Sequence, residues 1–255
     1  MIPLKDENPT VHKPVLTVLL IAINVFIYFS VQPHGQAGVA SSQIREARFT
    51  YEHAAIPKEV AQGHPLTCGE LAREPEGPQC SVEASATREP FPHKNVYLGI
   101  LYSMFLHGSL LHIGGNMLFL WVFGNNIEDR MGKFGFIVFY LVGGLVAAMA
   151  HILVQPNSVL PVVGASGAIA AVMGAYLVLF PNAPVRTLII LYFIPLFRQI
   201  PAKWLLGIWF VLQFFTGANS GVAWVAHVGG FVFGALVALL LRDRLRPPAH
   251  LAWRY

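Results

Sequence analysis

Ser166, in Gly164-Ala165-Ser166-Gly167, and His227, in Ala226-His227-Val228-Gly229-Gly230, each sit near the start of a long apolar run. A hydroxyl and an imidazole are the parts that a nucleophile and its base require. Polar groups inside lipid-spanning segments are rare and point to function. A third group, His112-Ile113-Gly114-Gly115-Asn116, places a His and an Asn at i, i+4, on one helix face. Both side chains donate hydrogen bonds, which an oxyanion forming at Ser166 would need. The backbone N–H of Ser166, at a helix start, is another donor. The chemistry these residues could do together is acyl transfer, and so hydrolysis of a bond within the bilayer.

No acid completes a triad. Glu128 and Asp129 are the only acidic residues close to an apolar run, and they lie roughly 18–25 Å along a helix from His112 and Asn116. The set reads as a Ser–His dyad whose histidine is oriented by something other than a carboxylate. Metal is the competing chemistry. His107, His112, His151 and His227 could contribute ligands, but HExxH is absent and no carboxylate lies at their depth. Neither a metal nor another cofactor is implied.

The elements that must position these residues are membrane helices. Of 255 residues, 55% are hydrophobic and 12% charged, too apolar for an ordinary soluble domain. Windows of about 20 apolar residues, the length that crosses a bilayer, fall at 14–33, 109–126, 134–155, 165–181, 202–217 and 222–241. The fold class expected is an all-α membrane protein: six transmembrane helices with a long extracytoplasmic first loop. Its parts are a cytoplasmic segment 1–13, a first span 14–33, a first loop 34–97, a core 98–242 that opens with an interfacial helix, and a cytoplasmic tail 243–255. The first window follows a polar stretch without a small-residue cleavage site, and reads as a retained span. Leu188–Phe197 is apolar but short, bracketed by Arg186 and Arg198 and interrupted by Pro195. It reads as a re-entrant or interfacial loop.

Orientation follows from Lys and Arg. Six spans put Lys5, Lys13, Arg130, Lys133, Arg186, Arg198, Lys203, Arg242, Arg244 and Arg246 on the side of both termini, while loops 156–163 and 218–221 carry no charge. Both termini are therefore expected in the cytoplasm. Basic inner loops account for the net charge of +4, and no basic cluster interleaved with aromatics suggests nucleic acid. In this topology the second, fourth and sixth windows run inward. Ser166, His227, His112 and Asn116 then share one depth, toward the outer face. Ser166, Ala170 and Gly174 line one helix face; His227, Gly230 and Gly234 line another. Small residues at such spacing let membrane helices approach closely. The first loop holds stretches such as Arg73-Glu74-Pro75-Glu76-Gly77-Pro78 and reads as irregular or partly disordered. Both cysteines, Cys68 and Cys80, lie in it, and either a disulfide or two free thiols would fit that compartment.

With these residues in order, the chain resembles the rhomboid intramembrane serine proteases. The matching pieces are Phe105-Leu106-His107-Gly108 with His112-xxx-Asn116, Gly124-xxx-Glu128-xxx-Gly132, Gly164-Ala165-Ser166-Gly167, and Ala226-His227-xx-Gly230-xxx-Gly234. Gly-x-Ser-Gly alone is a weak signal; four motifs in order on the matching spans are a strong one. The resemblance covers about residues 98–242 and the six-span layout. It implies Ser166 as nucleophile and His227 as base. It implies His112, Asn116 and the Ser166 amide as the oxyanion site, and structural roles for Glu128 and Arg130, with Gly164, Gly167, Gly230 and Gly234 shaping the motifs. The partners implied are membrane-protein substrates in the lipid bilayer. Some members carry a Tyr one turn after the nucleophile, packed on the histidine; here that position is Ala170, and Phe231 is the candidate to hold His227 instead. Some also carry a Trp-Arg pair in the first loop, whereas 34–95 contains no Trp.

Two readings compete with a protease. A rhomboid-like protein could bind membrane clients without cleaving them, but such relatives usually lack the serine or the histidine. A small transporter would need polar residues along a path, and neither an inverted repeat nor a central acidic residue is evident. Fluorophosphonate labelling of Ser166 discriminates the first, counter-flow in proteoliposomes the second. Gating by the fifth span or by loop 217–222 is expected of a protease with restricted water access. Trp204, Trp209 and Trp224 read as interface anchors and lipid contacts, His107 as a residue that packs or caps near the interface, and His151 faces the outer end of the third window with no partner to name.

Overall fold

The computed structural model describes residues 1–35, 39–72, 80, 86–216 and 223–245. Loop 217–222, the charged stretch 73–79 and the tail from Arg246 lie outside the described residues.

The first apolar window becomes α1 (Val15–Ser30), which starts directly after Pro14. Four helices follow: α2 (Ala40–His53), α3 (Pro57–Gln62), α4 (Cys68–Leu71) and α5 (Leu98–Ser103). The second and third windows join as α6 (Leu110–Val154), which is broken at Gly132. There φ is 69°, in the left-handed region that glycine enters at little cost. Then come α7 (Ser166–Leu179), α8 (Ala202–Gln213), α9 (Trp224–Leu240) and the short α10 (Arg242–Leu245). Among the described residues α6 alone is long and apolar enough to cross a membrane; α1, α7, α8 and α9 are shorter apolar helices. Large apolar side chains face outward on the helices, including Phe26, Phe29, Leu111, Phe134 and Leu240. A surface so apolar fits lipid and not water.

The bundle is packed through its small residues. The most extensive helix contact is between α7 and α9. A Cβ on Gly230 would run into the carbonyl of Gly167, one on Gly234 into that of Ala171, and one on Gly174 into that of Phe231. The α7 face that meets α9 is therefore Gly167, Ala171 and Gly174, which shares Gly174 with the expected stripe. Behind it, Phe123, Phe136, Tyr140, Ile169, Met173 and Tyr176 fill the core.

Glu128 fastens α1 to α6. Its carboxylate accepts the backbone N–H groups of Leu16 and Thr17 at 2.9 and 2.8 Å and the Thr17 hydroxyl at 2.8 Å. Those amides belong to the first turn of α1, where no intrahelical partner exists and negative charge is favoured. Asp129 accepts the N–H of Val11 and of His12 at 3.2 and 2.8 Å and pairs with Arg130. Glu128 and Arg130 thus lie away from the serine, where α1 meets α6, with Asp129 as a partner that the sequence reading missed.

Two expectations need correction. The protein is not all-α: β1 (Ile2–Asp6), β2 (Pro184–Leu191) and β3 (Ile194–Pro201) form an antiparallel sheet in the order β1-β2-β3. Leu188–Phe197, expected as a re-entrant or interfacial loop, is a regular paired structure. It is the far end of a two-residue hairpin with Leu188 opposite Phe197. β-Branched and aromatic residues favour strands; Leu188–Phe197 pairs across its own turn, and the base of β2, Val185–Leu188, also pairs with residues 2–6, far away in sequence. The first loop is also more ordered than expected. Tyr51, Ile56, Leu66, Leu71 and Phe91 form a small core of their own, and Cys68 and Cys80 are joined by a disulfide. Beneath them Lys94 Nζ meets Glu59 at 2.5 Å, both side chains 2% exposed. Burial pushes the Glu59 carboxyl up and the Lys94 ammonium down, and the pairing opposes both shifts.

Candidate active site

Local structure aims the serine. Ser166 is the first residue of α7, so its N–H lacks a helical acceptor. The preceding Gly164 has φ +125°, and a Cβ there would collide with the His112 ring. Glycine at 164 is thus required both by its backbone angle and by its neighbour. The segment before it is held by the first loop and by α5: Val162 N–H donates to Ala55 O at 2.8 Å and Gly164 N–H to Ser103 O at 2.8 Å. Ser103 in turn accepts the Ala55 N–H on its hydroxyl at 2.7 Å.

Across the α7–α9 contact, Ser166 Oγ lies 2.8 Å from His227 Nε2. On the far side of the ring, His227 Nδ1 lies 2.8 Å from Gln213 Oε1, on α8. Gln213 Nε2 donates to Trp209 O at 3.0 Å, which fixes the amide with its oxygen toward the histidine. That oxygen can only accept, so the ring proton sits on Nδ1 and Nε2 is left to accept from the Ser166 hydroxyl. The indole of Trp209 lies 5.7 Å from the His227 ring, centroid to centroid. Phe231, the aromatic expected to hold His227, packs instead on Trp209 and Phe210.

His112 and Asn116 reach the same place from α6. Ser109 caps that helix by accepting the N–H of His112 at 3.1 Å. His112 Nδ1 accepts the Gly108 N–H at 3.4 Å, which leaves the other ring nitrogen as the proton donor, beside Gly164. Asn116 is 8% exposed and its Nδ2 has no protein partner among the described residues. Both line a cavity of about 620 Å³ together with His151, Ser166, Trp209 and His227. A nucleophile–base pair beside unpaired donors is the arrangement acyl transfer uses. Among the described residues no group of His, Cys, Asp and Glu is placed to hold a metal ion.

The sequence reading missed three residues here. Gln213 is the one amide in the apolar run 202–215, a signal that was open to notice. Trp209, read as an interface anchor, packs on the histidine. His151, for which the sequence offered no partner, lines the cavity, and its Nδ1 has no hydrogen-bond partner among the described residues.

These elements define a helical bundle of membrane character with a hydrogen-bonded Ser–His pair in a cavity between its helices. The rhomboid domain matches residues 94–244, and the chain belongs to the rhomboid family, whose fold is a helical membrane fold. It is similar to the mitochondrial Rhomboid protein 1 of Saccharomyces cerevisiae, with 29% identity over 54% of this chain and 40% of that one. It is also similar to the mitochondrial RHOMBOID-like protein 12 of Arabidopsis thaliana (30% identity; 58% and 47%) and to Rhomboid protease GlpG of Serratia proteamaculans (32% identity; 52% and 44%). The matched region spans less than half the length of each of these relatives.

Proposed function

We propose that this protein is an intramembrane serine endopeptidase that cleaves transmembrane segments of other membrane proteins. The observation that carries the proposal is the 2.8 Å contact between Ser166 Oγ and His227 Nε2, backed by Gln213 on Nδ1. Ser166 attacks the scissile carbonyl while His227 takes its proton. The imidazolium keeps its Nδ1–H on the Gln213 oxygen and returns the other proton to the leaving amine. His112, Asn116 and the Ser166 N–H hold the oxyanion. Water then attacks the acyl-enzyme by the same route in reverse.

Six spans with both termini in the cytoplasm agree with the charge distribution and with the apolar helices. In that topology the cavity opens toward the outer leaflet, and cleavage occurs there. A substrate helix must unwind locally to present its bond, so helix-breaking residues in the substrate favour cleavage. A one-substitution test decides the matter. The protein is co-expressed with tagged single-span proteins, wild type beside Ser166→Ala, and fluorophosphonate labelling is read in parallel. Cleavage and labelling that both vanish in the variant support the proposal. Equal cleavage by the variant refutes it, and a folded wild type that neither cleaves nor labels favours a client-binding role.

A further inference from the structure

The β2–β3 hairpin leaves the sheet and carries no charge beyond its base. β1 pairs only with Val185–Leu188, so Ile189–Leu191 pairs with β3 alone. From Leu188 to Phe197 every side chain on both faces is apolar apart from the Tyr192 hydroxyl. Among the described residues no neighbour covers the overhang: Ile190, Leu191, Ile194 and Phe197 are each more than half exposed, and the tip residues Tyr192 and Phe193 are 88% and 97% exposed.

The turn itself is strained. Tyr192 and Phe193 take φ of 47° and 71°. A two-residue turn with both values positive is the place for Asn-Gly, and bulky aromatics there are disfavoured. An outlier of this kind marks a function for the side chains. A collar of charge stands below the apolar part. Arg186 lies opposite Gln199 and Arg198 opposite Thr187, adjacent steps of the ladder that face opposite sides. From that collar to the turn, four residue pairs extend about 13 Å, less than one leaflet's share of a hydrocarbon core of about 30 Å. The hairpin follows the C-terminal end of α7 and so lies away from Ser166.

We propose that this hairpin is a lipid anchor. It rests in the interfacial zone of the leaflet opposite the Ser–His pair, with Tyr192, Phe193 and Phe197 among the upper acyl chains and Arg186 and Arg198 on lipid phosphates. The occupant is lipid and not a second copy, because a collar with arginine on both faces repels its own kind and attracts anionic headgroups. The free backbone edges of the two-stranded overhang set the depth. Hydrocarbon would leave them unsatisfied, whereas the interface supplies water. Aromatic residues favour that zone.

The test needs no catalysis and is independent of the proposed protease activity. Cys68 and Cys80 are bonded to each other and no free cysteine remains, so an introduced one can be labelled alone. Phe193→Cys carries an environment-sensitive nitrobenzoxadiazole dye in phosphatidylcholine–phosphatidylglycerol vesicles, with Lys5→Cys as the reference. The expected result is blue-shifted emission at 193, strong quenching by lipids with a nitroxide high on the acyl chain, and several-fold weaker quenching by aqueous iodide than at 5. Full iodide access without lipid quenching overturns the proposal. Shielding from both quenchers overturns it in favour of a protein partner or second copy. With the reporter moved to Leu191→Cys, the pair Tyr192→Asn and Phe193→Gly should keep the fold and lose much of the lipid quenching. Unchanged quenching in that variant also counts against the anchor.

Discussion

Gln213 offers the sharpest test of the site's chemistry. Replacing it with Ala or with the near-isosteric Met removes the acceptor on His227 Nδ1 and leaves Ser166, His227, His112 and Asn116 in place. The bond lost spans 2.8 Å, and it strengthens during turnover, when the ring becomes positively charged. Hydrogen bonds to charged groups contribute about 1.5–3 kcal/mol. At about 1.36 kcal/mol per tenfold in rate, kcat should fall by about 10- to 150-fold. Removing a triad carboxylate costs about 10⁴, so a neutral orienter should matter less. The assay is cleavage of a single-span substrate in proteoliposomes, resolved into kcat and KM. Thermal unfolding and the rate of fluorophosphonate labelling accompany it. The expected outcome is a drop in kcat matched by slower labelling, with KM and the melting temperature little changed. Full activity in Gln213→Met would refute the reasoning. A loss that tracks melting temperature alone would reduce Gln213 to packing.

Three further outcomes follow from the packing and the buried charges. Gly234→Ala forces a methyl against the carbonyl of Ala171, so it should destabilise by about 1–3 kcal/mol. Gly114→Ala, with open space at its Cβ, should not; thermal melts in detergent compare the two, and equal melts would count against the close α7–α9 contact. Lys94→Met leaves the Glu59 carboxylate buried without its partner, which should cost about 3–5 kcal/mol; an unchanged melt would show that pair to be dispensable. Asp6, buried against Asn126 and the Tyr176 hydroxyl, has its carboxyl raised by burial from 3.8 to about 6. The folded state therefore holds its proton more tightly than the unfolded chain. The contribution is full below about 3.8 and lost as pH rises through about 6, and the gap corresponds to about 3 kcal/mol. Wild type should gain stability over Asp6→Asn on acidification from neutral pH, and a difference that stays flat would refute the assignment.

What the sequence disclosed depended on how far each inference had to reach. Helical spacing and charge along the chain were enough to bring Ser166, His227, His112 and Asn116 to one cavity, because each sits near the same end of its helix. The small residues at 174, 230 and 234 were legible from the same spacing, whereas the rest of the α7 face is Gly167 and Ala171 and not the expected Ser166 and Ala170. What holds His227 was not, because that depends on the rotation of α8 about its own axis, which only packing decides. Gln213 stood out as a lone amide, yet nothing local said that it faced the histidine. The sheet was hidden by distance and by proline. Strand β1 pairs with residues 179 to 186 positions away, and Pro3, Pro184, Pro195 and Pro201 are residues that strand interiors disfavour. All four sit at strand ends or on edge strands, where a missing N–H is tolerated.

The carboxylates of this chain and the amide beside His227 answer to one constraint. Glu128 and Asp129 are buried, yet every charge there meets several donors: the amides of residues 11, 12, 16 and 17, the Thr17 hydroxyl and Arg130. Such a set exists only where the start of one helix meets another. In Gly124-xxx-Glu128-xxx-Gly132 the first glycine brings α6 against Thr17, the glutamate caps α1, and the last glycine breaks α6. Among the described residues no comparable donor set surrounds His227. Its neighbours are Gln213, Trp209, the Ser166 hydroxyl and apolar helix faces, beside a cavity that His112, Asn116 and His151 also line. A carboxylate placed there would lose its hydration with one imidazole as compensation, a cost of several kcal/mol. An amide gives the same directional acceptor without a charge to bury, and its second end is satisfied by the Trp209 carbonyl. Among the described residues, a neutral amide beside His227 thus suits its surroundings better than a carboxylate would.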